Sequence, residues 1–138
     1  MLGLDVGEKR IGVAKSDEAG LMAHGLGFIE RKADGSDIER ITELVREHRV
    51  ETVVIGHPIN MNGSVGKQAE LVQHFAEQLK SAAGVQVKLW DERLSSKEAE
   101  GYLLKGDVSR KKRKLKIDQL AAQIILQSFM DAQGNHKS

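Results

Sequence analysis

A chain of 138 residues, 40% hydrophobic and 30% charged, has enough material for one globular domain with a proper core, and its composition excludes a disordered or collagenous protein. It contains no cysteine, which excludes a disulfide framework and thiolate catalysis, and no apolar stretch approaches membrane-spanning length. The first residues read as a strand and not as a signal peptide, so a cytoplasmic protein is expected.

The net charge of +1 conceals an asymmetry. Residues 105–116, KGDVSRKKRKLK, hold seven of the 21 basic residues and one of the 20 acidic ones; the remainder carries 14 basic against 19 acidic, a balance of −5. One concentrated basic segment on an acidic domain is either a solvated loop or a contact for a polyanion, where Lys and Arg displace counterions from phosphates.

The first element is a strand over residues 1–6, followed by strands at about 10–16 and 22–30, with Gly7, Asp17 and Gly20 in the short connections of a hairpin meander. Ile38, Ile41, Leu44 and Val45 then mark one stripe of a helix, with Ser36 and Glu39 spaced as a capping box at its start. VETVVIG (50–56) reads as a β-branched strand. A second helix follows, with Ser64 as candidate N-cap, Gly84 as its stop, and Leu71, Val72, Phe75, Ala76 and Leu79 on its inner side. VQVKLW (85–90) is the fifth strand. Ser95 and Glu98 are spaced to open a short helix ending near Leu104, and IDQLAAQIILQSFMDA (117–132) forms the last helix. With no repeat, no linker and a single proline, Pro58, residues 1–138 read as one mixed α/β domain of about five strands with helices on both faces.

Three carboxylates sit oddly in this pattern. In the first strand Leu2, Leu4 and Val6 share one face, so Asp5 points to the other, flanked there only by Gly3 and Gly7. Asp91 and Glu92 follow the fifth strand directly, at the kind of strand end that lines ligand crevices in open α/β sheets. Asp118 falls in the first turn of the last helix as read here, on the stripe of Ala122, Ile125 and Phe129. Each has a plain structural reading: a turn hydrogen bond for Asp5, a surface ion pair for Glu92, a helix-dipole contact for Asp118. Together they imply more, because two carboxylates about 4 Å apart repel by roughly 4 kcal/mol at an effective dielectric near 20, and a proton or a cation must relieve them. An all-oxygen set suits Mg²⁺ or Mn²⁺ and not Zn²⁺. Such ions promote in-line phosphoryl displacement, whose uncatalysed rate is too slow for a lone general base to rescue.

Four blocks, DVGEKRIGVA (5–14), VIGHPINMNGSVGKQA (54–69), DERLSSKEAE (91–100) and KIDQLAAQIILQ (116–127), together resemble the YqgF family, also called RuvX: Holliday-junction resolvases or pre-16S rRNA processing nucleases of ribonuclease H-like fold. The resemblance implies a ribonuclease H-like five-stranded mixed sheet whose second strand is antiparallel to the others. It also assigns metal-binding, catalytic roles to Asp5, Glu92 and Asp118. Strand alternation alone would group Asp91 with Val85, Val87 and Leu89; the choice of Glu92 over Asp91 comes from the family. His57 stands where an aliphatic residue is expected and receives no role.

Further residues are candidates for touching nucleic acid. Asn62 and Ser64 precede a helix whose free N–H groups suit a phosphate, or they form an ordinary turn and cap. Lys9, Arg10 and Arg93 adjoin the proposed acids and either hold the scissile phosphate or neutralise those acids. Arg110, Lys111, Lys112, Arg113 and Lys114 would track a sugar-phosphate backbone. Only Trp90 and Tyr102 offer large polar-edged rings for base stacking, so sequence-specific readout of unpaired bases is not expected.

The leading expectation is therefore a Mg²⁺- or Mn²⁺-dependent endonuclease acting on structured nucleic acid, at the 5′ end of pre-16S rRNA. The alternatives are a Holliday junction resolvase, which needs two matched cuts and hence a homodimer, and a non-catalytic nucleic-acid-binding factor. The D-x-G…G-V-A pattern also resembles the first phosphate loop of actin-like ATPases, but those clamp nucleotide between two such domains and this chain supplies one.

Overall fold

The structure, a computed structural model, describes residues 1–60, 62–92 and 110–135, with side chains described at 1–60, 62–92 and 120–133. Five strands, β1 (Leu2–Val6), β2 (Arg10–Ser16), β3 (Ala23–Glu30), β4 (Thr52–His57) and β5 (Gln86–Asp91), form one sheet in the order β3-β2-β1-β4-β5. β2 runs antiparallel to β1 and β3, while β1, β4 and β5 are mutually parallel. The ribonuclease H-like mixed sheet expected from the sequence is present.

Among the described residues three helices cover it: α1 (Ser36–Glu47), α2 (Lys67–Ala83) and α3 (Arg110–Asn135). Alternation along the strands sorts the core into two layers. Leu2, Leu4, Val6, Ile11, Val13, Val53 and Ile55 face α1 and α2, where they meet Ile41, Leu44, Val72, Phe75 and Leu79. Ala14, Ala23 and Val54 face α3, where they meet Ala122, Ile125, Leu126, Phe129 and Met130. The α3 side of the sheet is lined by small residues, so that helix packs close. A Cβ on Gly3 would stand 2.7 Å from the Leu126 Cβ and 2.9 Å from the Ala122 carbonyl. Only a glycine lets α3 lie this low over β1.

Four local expectations are corrected. Helix α1 is capped by Gly35 at φ 85° with no side-chain cap; Ser36 is already inside the helix and its hydroxyl donates to Asp34 Oδ1 at 2.7 Å, so the Ser36–Glu39 capping box does not form. Helix α2 begins at Lys67 after Gly66, and Ser64 belongs to the preceding turn. Leu71 is 58% exposed despite its spacing with Phe75 and Leu79. Helix α3 begins at Arg110, so the backbone of the basic run 110–116 is helical, and Asp118 lies two turns inside the helix instead of in its first turn. The expected capping pair Ser95–Glu98 and the helix to Leu104 lie outside the described residues. Gly84 does end α2, in the left-handed conformation at φ 63°.

Candidate active site

Asp5 sits mid-strand in β1, half-buried between fully buried Leu4 and nearly buried Val6. Because Leu4 and Val6 face α1 and α2, alternation turns Asp5 to the α3 side, as Gly3 is. Its antiparallel neighbour in β2 is Gly12. On the other side, β1 and β4 pair as Gly3↔Val54 and Leu4↔Ile55, and the next step of that register sets Asp5 beside Gly56. The carboxylate is thus bordered on its own face by Gly3 and Gly7 along the strand and by Gly12 and Gly56 across it.

Gly56 marks where the second acid arrives. A Cβ at this position would lie 2.6 Å from Glu92 Oε1, 2.8 Å from Glu92 Cγ and 2.6 Å from Ile125 Cδ1. The Glu92 side chain therefore folds back over β4 on the α3 side, in the space that the missing Gly56 side chain leaves. Asp91 pairs with His57 in the β4–β5 ladder and alternates to the opposite face, with Val87. Of the two adjacent acids, Glu92 is the one that shares a face with Asp5.

The end of β5 is fixed by Trp90. Its indole Nε1 donates to Ser128 Oγ at 3.0 Å, and its ring meets Phe129 edge-on, centroids 5.5 Å apart at 87°. These contacts tie β5 to α3 two residues before Glu92. They also commit the Trp90 ring to contacts within the chain. Tyr102 lies outside the described residues.

Position 118 lies in α3 one turn ahead of Ala122. Ala122 is fully buried, with its carbonyl close over Gly3. The Asp118 side chain itself is outside the described set. Among the described residues no group of three His, Asp or Glu side chains is placed to hold a metal; Asp5 and Glu92 are the two acids brought to one face. Their donor chemistry fits a hard divalent cation, because both are carboxylates and supply oxygen ligands.

The turn from β1 to β2 carries Lys9 and leads into Arg10, the first residue of β2, close along the chain to Asp5. Gly7 N–H donates to the Arg10 carbonyl at 2.9 Å, so close that a Cβ on Gly7 would also stand 2.9 Å from that oxygen. Arg31, which sequence reasoning missed, braces this turn. Its Nη1 donates to the Gly7 carbonyl at 3.1 Å and its N–H to the Lys9 carbonyl at 2.8 Å. Its Nε pairs with buried Asp37 at 3.1 Å, and its guanidinium lies 5.2 Å from the Phe75 ring centroid. Gln68 Nε2 adds a hydrogen bond to the Val6 carbonyl at 3.2 Å. Lys9 is exposed, and the Arg10 guanidinium lies 5.8 Å from the Phe28 ring centroid.

Asn62 and Ser64 form an exposed turn. Asn62 Oδ1 accepts from the Ser64 N–H at 3.0 Å and from its hydroxyl at 2.6 Å, and Asn60 Nδ2 donates to Ser64 Oγ at 3.0 Å. The polar atoms of this turn are largely spent on one another. His57 Nε2 lies 3.1 Å from Gln73 Nε2. Arg93 is outside the described residues; Arg110, Lys111, Lys112, Arg113 and Lys114 form the start of α3, their side chains outside the described set.

The class of protein is defined by the fold. Residues spanning 97% of the chain superpose on the structure titled "T. thermophilus RuvC in complex with Holliday junction substrate" with a TM-score of 0.57 at 19% identity, covering 96% of that chain. A fowlpox virus resolvase bound to Holliday junction DNA superposes with a TM-score of 0.53 at 9% identity, over 96% of this chain and 97% of that one. At these identities the likeness establishes the ribonuclease H-like fold. Sequence goes further: the family model "RuvX: Holliday junction resolvase" matches residues 1–132, and the chain belongs to that family. A Carboxydothermus hydrogenoformans protein named "Putative pre-16S rRNA nuclease" is 51% identical over 138 residues, 100% of this chain and 97% of that one. A protein of the same name from Caldanaerobacter subterraneus is 51% identical over 136 residues, 98% of each chain.

Proposed function

We propose that this protein is an endonuclease that hydrolyses phosphodiester bonds in structured nucleic acid, with the 5′ end of pre-16S rRNA as its substrate. The observation that carries this reading is that Asp5 and Glu92 lie on one face of the sheet, Asp5 on β1 and Glu92 folded over Gly56 of the adjacent β4. The names of relatives about half identical to this chain support the RNA substrate.

Asp5, Glu92 and Asp118 would hold Mg²⁺ or Mn²⁺, the carboxylates supplying hard oxygen ligands. When bound, such an ion activates water and stabilises the leaving oxygen of an in-line displacement. The rest is the work of the chain. Lys9 and Arg10, on the turn held by Arg31, neutralise the phosphate next to the scissile bond. Gly12, without a side chain, keeps the β2 flank of Asp5 low for the sugar-phosphate backbone. The basic start of α3 tracks the neighbouring phosphates, positioning the strand without reading its bases.

Junction resolution is the second reading, favoured by the description of the matching family model. It requires two matched cuts and therefore a homodimer. A precursor rRNA fragment and a four-way DNA junction, each incubated with the native protein and with Asp5→Asn, with and without Mg²⁺, decide among the readings. Metal-dependent cleavage of the RNA that Asp5→Asn abolishes is expected. Cleavage of the junction alone would select resolution, and binding without turnover under any metal would leave a nucleic-acid-binding factor.

A further inference from the structure

Phe28 is a large apolar side chain on the outer strand of the sheet, and it is 44% exposed. Single exposed apolar residues are common and need no explanation. Three features set this one apart. Register places it in a single cross-strand row with the candidate catalytic acid: Asp5 is opposite Gly12, and Gly12 is opposite Phe28. Neighbouring residues in such a row face the same side, so Asp5 and Phe28 share the α3 face with only a glycine between them. The ring also lies under the Arg10 guanidinium, 5.8 Å from its centroid, on the side of the sheet that carries the proposed phosphate-binding turn. Finally, Phe28 has small neighbours: Gly27 precedes it along β3 at φ 112°, and Gly12 opposite it on β2 has no side chain.

An aromatic ring beside a cation, reached from an acidic centre across a bare step, has the chemistry of a stacking platform for a nucleobase. Two strand spacings amount to about 10 Å, the rise of about three stacked nucleotides. We infer that Phe28, with Arg10 on its ring, stacks an unpaired base a few nucleotides from the scissile phosphate, so that this enzyme takes substrates with a single-stranded segment beside the cleaved bond. This rests on the nuclease reading and adds a substrate requirement to it. Stacking of this kind is tolerant of base identity, so the platform selects strandedness and not sequence.

The test uses two RNA probes of identical stem sequence. One carries a single-stranded extension with 2-aminopurine in it, and the other is paired throughout. Binding is measured with the full-length protein in an Asp5→Asn background, so that nothing is cleaved. In that background the extended probe should bind with a change in 2-aminopurine fluorescence. Phe28→Leu, which keeps an apolar side chain but removes the ring, should weaken binding of the extended probe by about 5-fold to 150-fold. It should leave the paired probe's affinity and the melting temperature unaltered, and Phe28→Trp should restore both affinity and fluorescence response. Equal affinity of Phe28→Leu for the extended probe, or equal losses on both probes, would overturn the inference. Failure of the otherwise native protein to cleave any nucleic acid would instead remove the nuclease reading, a separate outcome that the binding assay does not share.

Discussion

The Glu92 carboxylate occupies the volume that a side chain on Gly56 would fill, its Oε1 2.6 Å from the position of a Cβ there. A residue on β4 therefore sets the pose of an acid that lies beyond β5, and does so by having no side chain. Alanine at 56 would press on both Glu92 and Ile125. Gly56→Ala is expected to lower stability by about 1–3 kcal/mol through overpacking. It should also reduce cleavage by about 100-fold, the scale of a misplaced catalytic group. Gly3→Ala is the control: its Cβ would strike Leu126 and Ala122 and not an acid, so stability should fall with a smaller loss of rate. Urea denaturation and single-turnover cleavage measure the two effects separately.

Arg31 holds the β1–β2 turn while neutralising Asp37, which is 4% exposed. Arg31→Met keeps much of the packing on Phe75 but strands a buried carboxylate. It should cost about 1–3 kcal/mol. Arg31→Met with Asp37→Asn should recover part of that stability without recovering cleavage, because the Gly7 and Lys9 end of the turn remains loose. Full recovery of both would show that Arg31 serves Asp37 alone.

Among the described residues, exposed Asp17 and Asp34 each contribute to the acid limb of stability. The Leu21 N–H, 2.8 Å from Asp17 Oδ1, is the main reason that the Asp17 pKa lies below its ordinary value. The Ser36 hydroxyl does the same for Asp34. A carboxylate whose folded pKa is depressed adds stability that is complete above its unfolded pKa, near 4, and that disappears as pH falls through the lower folded value. Asp17→Asn with Asp34→Asn keeps hydrogen-bond acceptors at both positions and removes the titration. Melting temperature against pH should then show a shallower decline below about pH 4 than the native protein shows.

The basic start of α3 predicts a salt dependence. If Arg110, Lys111, Lys112, Arg113 and Lys114 meet phosphates, each neutralised charge should lower the slope of log affinity against log salt by about 0.7–0.9. Replacing Lys111, Lys112 and Arg113 with alanine should flatten the slope by roughly 2–3, with little change in preference among sequences. Filter binding across a salt series reads this directly. An unchanged slope would show that the run faces away from the nucleic acid.

The strands were legible because their apolar residues alternate or cluster, and the placement of Asp5 followed from that alternation alone. The sequence could not say which of Asp91 and Glu92 turns to the same face. That depends on Glu92 folding back over β4 after the strand has ended, which only the bare Gly56 reveals. The helix starts misled for a local reason: Gly35 and Gly66 took the cap positions, and Ser36 and Ser64 spent their hydroxyls on Asp34 and Asn62. The helical backbone of residues 110–116 was hidden because a run of lysines and arginines has no apolar stripe to display its period. Arg31 and Phe28 were invisible as site residues for a different reason. Both matter through register between strands, and register is set by partners far away in the chain.

The β1-β4-β5 adjacency also dictates when the proposed catalytic centre can come into being during synthesis. Asp5 is synthesised before β4, so its strand acquires a parallel neighbour only once β4 has been made, and Glu92 arrives after β5. The helix that closes this face is later still. At elongation rates of about 5–20 residues per second, the nascent protein spends several seconds without a complete site. A nuclease assembled in the proposed way would stay silent beside the ribosome that is making it until α3 has emerged.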